Sequence, residues 1–472
     1  MKLSYLGTLA AAVMLVAVAC GGGPAGTTRP SGTATTASRP PSAPASAPAS
    51  APASEPASAP ASGPASAPAS GPASAPASEP ASPGAENPHE PGADLGERVI
   101  PAGESLHIVF WGVQSGPDSA LGIDALRGTE IAIDDRPEVA GFPVELTVED
   151  GLCTPEGGNT AATRIAADVT VVGLVGSVCS DETVGGIELI TNAGLTTISP
   201  SNTRPALTDP TRADMYDGYL RTAHNDLFQG AKAAEFAYNV LGSRRAATIH
   251  DNSSYAQALQ QVFADEFTAM GGEVTIQTVL TDQNATSVLE TVAPTTPDLI
   301  YYPVFTAPFG YITAAVRDVP GLEEVDLMGA DAGFSAAAVE AGGENALDMY
   351  LSSPDTRQFP GDYQSFLDKH QEKYGEAPLQ IFHAHAYDAT NILFNAIEEV
   401  AVENEDGSLT IPLGPLRDAV YATESYQGIT GELTCGDFGD CGAPAIGVYQ
   451  VTQEIVDDPA GQWPPDAVWP EL

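Results

Sequence analysis

Residues 246–280 read AATIHDNSSYAQALQQVFADEFTAMGGEVTIQTVL. Ala246 to His250 is a short apolar run of strand type, and Ser253 or Ser254 then offers a hydroxyl to cap a helix. Leu259, Val262, Phe263, Phe267 and Met270 recur at helical spacing and define one buried face, which Gly271 and Gly272 end. Val274 to Leu280 starts the next strand at once. Strand, helix and strand in this order form a βαβ unit, which requires parallel strands and a right-handed crossover.

The same beat runs through the surrounding chain. Leu106 to Val113 precedes a helix near Asp118, Val144 to Val148 precedes Asn159 to Ala167, and Val171 to Leu174 precedes Glu182 to Thr191. Leu299 to Tyr302 and Val325 to Met328 continue it. The predicted fold class is therefore α/β with doubly wound parallel sheets. The region from about 104 onwards is too long for one hydrophobic core, so two lobes are expected.

The two ends of the chain are of different kinds. Lys2, the apolar run Leu3 to Val18 and small residues before Cys20 read as a bacterial secretion signal over residues 1–19. The site before Cys20 resembles that of lipoproteins, which makes Cys20 the expected lipidated N-terminus. Residues 20–96 are dominated by Pro, Ala, Ser, Gly and Thr, with a Pro-Ala-Ser-x tetrad from Pro44 to Ser82. Such a segment has nothing to bury and is expected to be a disordered tether. At ~5–6 Å × √n its reach is roughly 45 Å.

Five cysteines less Cys20 leave Cys153, Cys179, Cys435 and Cys441, an even number in an exported chain. Two disulfides are expected, and local sequence favours Cys153 with Cys179 and Cys435 with Cys441 among three possible pairings. No Cys-x-x-Cys pair and no neighbouring His at ligand spacing supports a zinc site. The balance of 18 basic against 62 acidic residues argues against nucleic acid or anionic lipid as partners. Catalytic signatures are missing: Gly333-Phe334-Ser335-Ala336-Ala337 lacks the second glycine of a nucleophile elbow, and no phosphate loop or His-Glu zinc motif occurs. A binding protein without cofactor or metal is expected, and not an enzyme.

Ligands of open parallel sheets sit beyond the carboxyl ends of the strands. Those loops are Ser115-Gly116-Pro117, Val178-Cys179-Ser180 and Ser199-Pro200-Ser201-Asn202-Thr203 in the first half. In the second they are His250-Asp251 with Tyr255, Phe305-Thr306, and Asp331. The first set offers hydroxyls and helix N-termini suited to a carboxylate; the second offers aromatic rings and one acid. Trp111 and the histidines His383 and His385 read as packing residues.

These loops, the Cys153 and Cys179 pair, Ile198-Ser199-Pro200-Ser201-Asn202-Thr203, Met328-Gly329-Ala330-Asp331 and His385-Ala386-Tyr387-Asp388-Ala389 together resemble the type I periplasmic solute-binding proteins of branched-chain amino-acid ABC importers. The resemblance covers residues 104 to 455. It implies lobe 1 over 104–222 and 353–445, lobe 2 over 223–352 and 446–460, three crossovers between them, and a tail over 461–472. It further implies an amino acid enclosed by hinge closure and handed to permease subunits, at the outer face of the cytoplasmic membrane.

By position, Ser180 and Thr203 would hold the ligand carboxylate with backbone groups of Ser201 and Asn202. Asp331 would pair with the ammonium, and Tyr255 would contribute from the second lobe. Leu121 and Phe305 stand where the family commonly has tyrosines, so the side-chain pocket is reshaped, and an amide, urea or aromatic acid, or a ligand-sensing role, is the alternative reading. A zwitterion leaves water only if both ends are matched, because an unpaired buried charge is costly.

Overall fold

The computed structural model describes residues 86–471. The signal segment, Cys20 and the Pro-Ala-Ser repeats lie outside the described residues. Two sheets organise the chain. The first has the spatial order Glu138–Val139, Phe142–Glu149, Leu106–Trp111, Val171–Gly176, Thr197–Ser199, Tyr219–Arg221, all parallel except the short first pair. Its central strands Leu106–Trp111 and Val171–Gly176 are buried along their whole length, as expected of strands covered on both faces. Trp111 is fully buried in that core.

The second sheet has seven strands in the order Ala467–Trp469, Ile446–Gln450, Tyr350–Pro354, Asp326–Gly329, Leu299–Tyr301, Arg245–His250, Glu273–Val279. The last five are parallel, and the two strands nearest the C-terminus join antiparallel. Within the βαβ unit, Ser253 caps the helix Ser254–Ala269 by accepting from the Ala256 amide at 3.1 Å. Leu259, Phe263 and Phe267 are buried, whereas Val262 and Met270 lie at the margin of the buried face. Gly271, at φ +100°, takes a conformation that favours glycine and turns the chain into the next strand.

The chain crosses between the sheets three times. It leaves the first after Tyr219–Arg221 for the helix Asp226–Glu235, returns after Tyr350–Pro354 to the helices Asp362–Tyr374 and His383–Val400, and crosses again to Ile446–Gln450. Both disulfides join the locally favoured partners, Cys153 to Cys179 and Cys435 to Cys441. Among the described residues, no helix is long and apolar enough to cross a membrane and no His, Cys, Asp or Glu cluster could hold a metal ion.

Two expectations from sequence need correction. Residues 86–96, expected as the end of the tether, are docked on the first lobe: His89 is bound by Asp217 at 2.8 Å and Asp418 at 3.0 Å and stacks on Tyr421 at 4.0 Å. Composition hid this because the partners lie more than a hundred residues away. Residues 461–472, expected as a tail, include Ala467–Trp469, which completes the edge of the second sheet.

Candidate functional site

The carboxyl end of the strand Val171–Gly176 runs into Ser177, Val178 and Cys179, and Cys179 is the N-cap of the helix Ser180–Asn192. This turn is held by a buried acid. Glu182 accepts the amides of Cys153, Val178 and Cys179, each at 3.0 Å, while the disulfide ties the first of these loops to the helix start. Burial pushes the Glu182 carboxyl up to about 7 although the three amides oppose the rise. Ser180 is thereby presented at the first helical position, 3% exposed.

The loop after Thr197–Ser199 is fixed in another way. The Ser199 hydroxyl donates to the Ser177 carbonyl at 2.7 Å and accepts the amides of Ser201 and Asn202 at 3.3 and 3.0 Å. Those amides, expected to serve the ligand, are therefore already engaged. The Asn202 side-chain amide donates to Ser177 and Thr183, and the Asn202 backbone carbonyl accepts from Arg221 at 3.1 Å. Thr203 is buried next to Asp226, outside hydrogen-bond geometry. Asn202 and Thr203 brace the loop; Ser201, whose hydroxyl donates to the Val178 carbonyl at 2.7 Å, is the part of it that reaches the cleft.

From the second lobe, Asp331 begins a short helical turn after the strand Asp326–Gly329. Tyr255, in the first turn of its helix, donates to Asp331 Oδ1 at 2.5 Å, and Gln229 Nε2 donates to the same oxygen at 2.9 Å. Gln229 also donates to the Ser352 carbonyl and is bound to His224 at 2.6 Å. Burial, then the Asp331 charge, raises the Tyr255 hydroxyl well above its ordinary value, so it stays a donor. Burial lowers His224, and lowers His385 to about 3, so neither is a cation at neutral pH.

Six of the eight expected residues, Leu121, Ser180, Ser201, Tyr255, Phe305 and Asp331, line one small cavity between the lobes, together with Val178, Cys179, Ala332 and Phe382. Its volume is about 20 Å³, room for roughly one water molecule. Tyr255 and Phe305 form one wall, their rings 5.5 Å apart. No Lys, Arg or His is among the lining residues, and Asp331 is the one acid. Sequence reasoning missed Gln229 and Phe382. Nothing local marks either: Gln229 lies within the crossing helix, and Phe382 reaches the cavity from a turn some 260 positions after Leu121.

Around the cavity the lobes touch through backbone amides and carboxylates. Asp118 Oδ1 of the first lobe accepts the Thr306 amide of the second at 3.1 Å, and Asp181 accepts the Ser254 amide at 3.2 Å. Both amides are at the starts of helices, Thr306–Val316 and Ser254–Ala269, where the helix dipole favours a negative charge. Within the second lobe, Asp251 accepts the Phe305 amide at 2.8 Å and so aims that ring. An outer recess of about 520 Å³ adjoins these contacts, bordered by Asp118, Asp181 and Asp251.

Comparison with known proteins agrees with this architecture. The sequence model of the family described as periplasmic binding protein matches residues 105–452. An amino acid binding protein of Pseudomonas aeruginosa is 27% identical over 163 residues, 34% of this chain and 42% of that relative, so this match spans less than half of the relative's length. The Leu/Ile/Val-binding protein of Escherichia coli K12 is 23% identical over 256 residues, 53% of this chain and 68% of the relative. Among solved structures, the leucine binding protein LivK of Thermotoga maritima has a TM-score of 0.66 at 24% identity, covering 74% of this chain and 96% of that one. A solute binding protein of Rhodopseudomonas palustris solved with p-hydroxybenzoic acid has a TM-score of 0.64 at 16% identity, covering 74% and 93%.

Proposed function

The chain belongs to the periplasmic binding protein family, whose members bind solutes for ABC transporters rather than catalyse, and on that premise we propose that it captures an amino acid, branched-chain or related, for such an importer. The observation that carries this reading is the chemistry of the cavity. Asp331 Oδ1 is held by Tyr255 and Gln229, while Oδ2 accepts no hydrogen bond from the described residues. The same cavity is lined by Ser180, at the start of a helix, and by Ser201 of the neighbouring loop.

A ligand with a cationic end answers Asp331, and its carboxylate answers the Ser180 hydroxyl and the positive helix terminus. Leu121, Val178, Phe305 and Phe382 leave an apolar wall for a side chain, consistent with the Leu/Ile/Val-binding relatives. Capture would proceed by the lobes closing through Asp118 and Asp181, and Cys20 with the following repeats would hold the head at the outer face of the membrane, within reach of permease subunits. A thermal-shift panel of free amino acids on the purified protein tests the reading: a ligand at 100 times its Kd should stabilise by ~2.7 kcal/mol. No shift with any amino acid would overturn it.

A second reading, an aromatic acid, is favoured by the rings of Tyr255, Phe305 and Phe382 at the cavity and by the p-hydroxybenzoic acid of a structural neighbour. It is the weaker, because such an acid brings no cation to Asp331 and the cavity offers it none. Asp331→Ala separates the two, weakening an amino acid and sparing or improving an aromatic acid.

A further inference from the structure

A second cavity, of about 390 Å³, lies away from the cleft, where the crossing segments meet. One wall is the helix Asp362–Tyr374 of the first lobe, which turns Gln364, Leu367 and Gln371 towards it. The opposite wall is Trp463 and Pro464, from the segment between the last two strands of the second sheet. Trp463 is anchored in the second lobe by its edge contact with Phe334, ring centroids 4.8 Å apart. The cavity is therefore built by both lobes.

Its aromatic surface is rigid. Asp124, fully buried, accepts the amide of His383 at 2.9 Å and binds the Nδ1 of the same residue at 3.0 Å; the other ring nitrogen of His383 meets the Tyr363 hydroxyl at 2.9 Å. The Tyr363 ring also stacks on His383 and takes Phe359 edge-on. Cations are diverted from this space. Lys369 and Lys373 of the bordering helix are bound to Asp135 and Asp134 on the helix Ser119–Asp135, and Arg357, next to the cavity residue Thr356, to Asp355. No Lys or Arg is among the lining residues; of the two lining acids, Glu376 is bound by Arg127 at 2.6 Å, and Asp368, which accepts from Gln364 at 3.1 Å, forms no ion pair among the described residues. The Trp463 indole N–H and the Gln380 carbonyl have no hydrogen-bond partner.

We propose that this cavity is a binding site for a small organic cation, an alkylammonium with an apolar body, held between Tyr363 and Trp463 and facing Asp368. An ammonium over fixed aromatic faces is attracted by their quadrupoles, and more strongly where water is excluded. The net charge of −44 draws cations to the molecule at low salt. An occupant touching both walls stabilises the interlobe arrangement in which Asp118 and Asp181 make their contacts, and is linked reciprocally to occupancy of the cleft.

The test is calorimetric titration of the full chain, without amino acid, by choline and by its uncharged isostere 3,3-dimethylbutan-1-ol. Choline should bind saturably, with the alcohol weaker by about tenfold, as one cation–π contact of the stronger kind predicts. Gln364→Lys with Gln371→Lys, both exposed positions, should weaken choline by at least as much and leave the thermal response to amino acids unchanged. Absence of saturable binding, equal binding of the alcohol, or choline binding undiminished in the double variant would each overturn the site, and none bears on the cleft.

Discussion

The Tyr255 hydroxyl donates to Oδ1 of Asp331 at 2.5 Å, and Gln229 from the crossing helix shares that oxygen. One carboxylate oxygen is thus spent on positioning, and the other accepts no hydrogen bond from the described residues. Tyr255 follows directly on Ser254, whose amide touches Asp181 of the first lobe, so the residue that orients Asp331 sits next to an interlobe contact.

Asp331→Asn keeps an acceptor and removes the charge. On the amino-acid reading it should weaken binding by about 1.5–3 kcal/mol, roughly 10- to 150-fold. Tyr255→Phe removes one orienting hydrogen bond and should cost about 1 kcal/mol. Calorimetry on both variants checks the order; a Tyr255→Phe loss as large as that of Asp331→Asn would mean that the hydroxyl, not the carboxylate, meets the solute.

The two disulfides close loops of different length, with partners 26 and 6 residues apart. Loop-closure entropy gives about 3.5 kcal/mol for Cys153–Cys179 and about 2.2 kcal/mol for Cys435–Cys441. Serine replacement of the first pair should therefore lower the midpoint of urea unfolding more than replacement of the second. It should also weaken solute binding, since that disulfide supports the turn presenting Ser180.

Glu182 supplies a pH signature. Its carboxyl lies at about 7 in the fold against an ordinary 4.5, so between these values the folded chain holds a proton that the unfolded chain has released. Its contribution to stability therefore declines as pH rises from 4.5 to about 7 and is level above, by up to about 3 kcal/mol. Glu182→Gln should flatten that slope while lowering stability throughout, because the amide has one oxygen for three donors. Unfolding midpoints of both proteins across the window decide it; parallel slopes would contradict the assignment.

How much of this was legible in the sequence depended on how local the cause was. The βαβ unit around Ser253 follows from neighbouring residues, so its cap and its Gly271 turn stand where hydroxyl and glycine placed them. Ser180, Tyr255 and Asp331 share one cavity because strand ends converge by topology. Asn202 and Thr203 illustrate the limit: being in the right loop does not say which way a side chain faces, and here Ser199 takes the amides that a ligand would use. The docking of His89 depends on Asp217 and Asp418, and no pattern in a Pro-rich, polar stretch encodes partners so far away.

The interlobe contact at Asp118 makes a last prediction, for binding rather than folding. Burial, assisted by the Asp251 charge, raises the Asp118 carboxyl above its ordinary 3.8 despite the opposing hydrogen bond from Thr306. Parting the lobes returns it to water, so the closed arrangement holds more protons and this group favours closure as pH falls from its raised value towards 3.8. Asp118→Asn preserves an acceptor for the Thr306 amide without a charge to desolvate, and should bind solute at neutral pH at least as tightly as the parent, with a flatter pH profile. Asp118→Ala removes the cap and should weaken binding by about 1 kcal/mol, roughly fivefold. Equal weakening by Asn and Ala would show that attraction between the carboxylate and the helix start outweighs its desolvation.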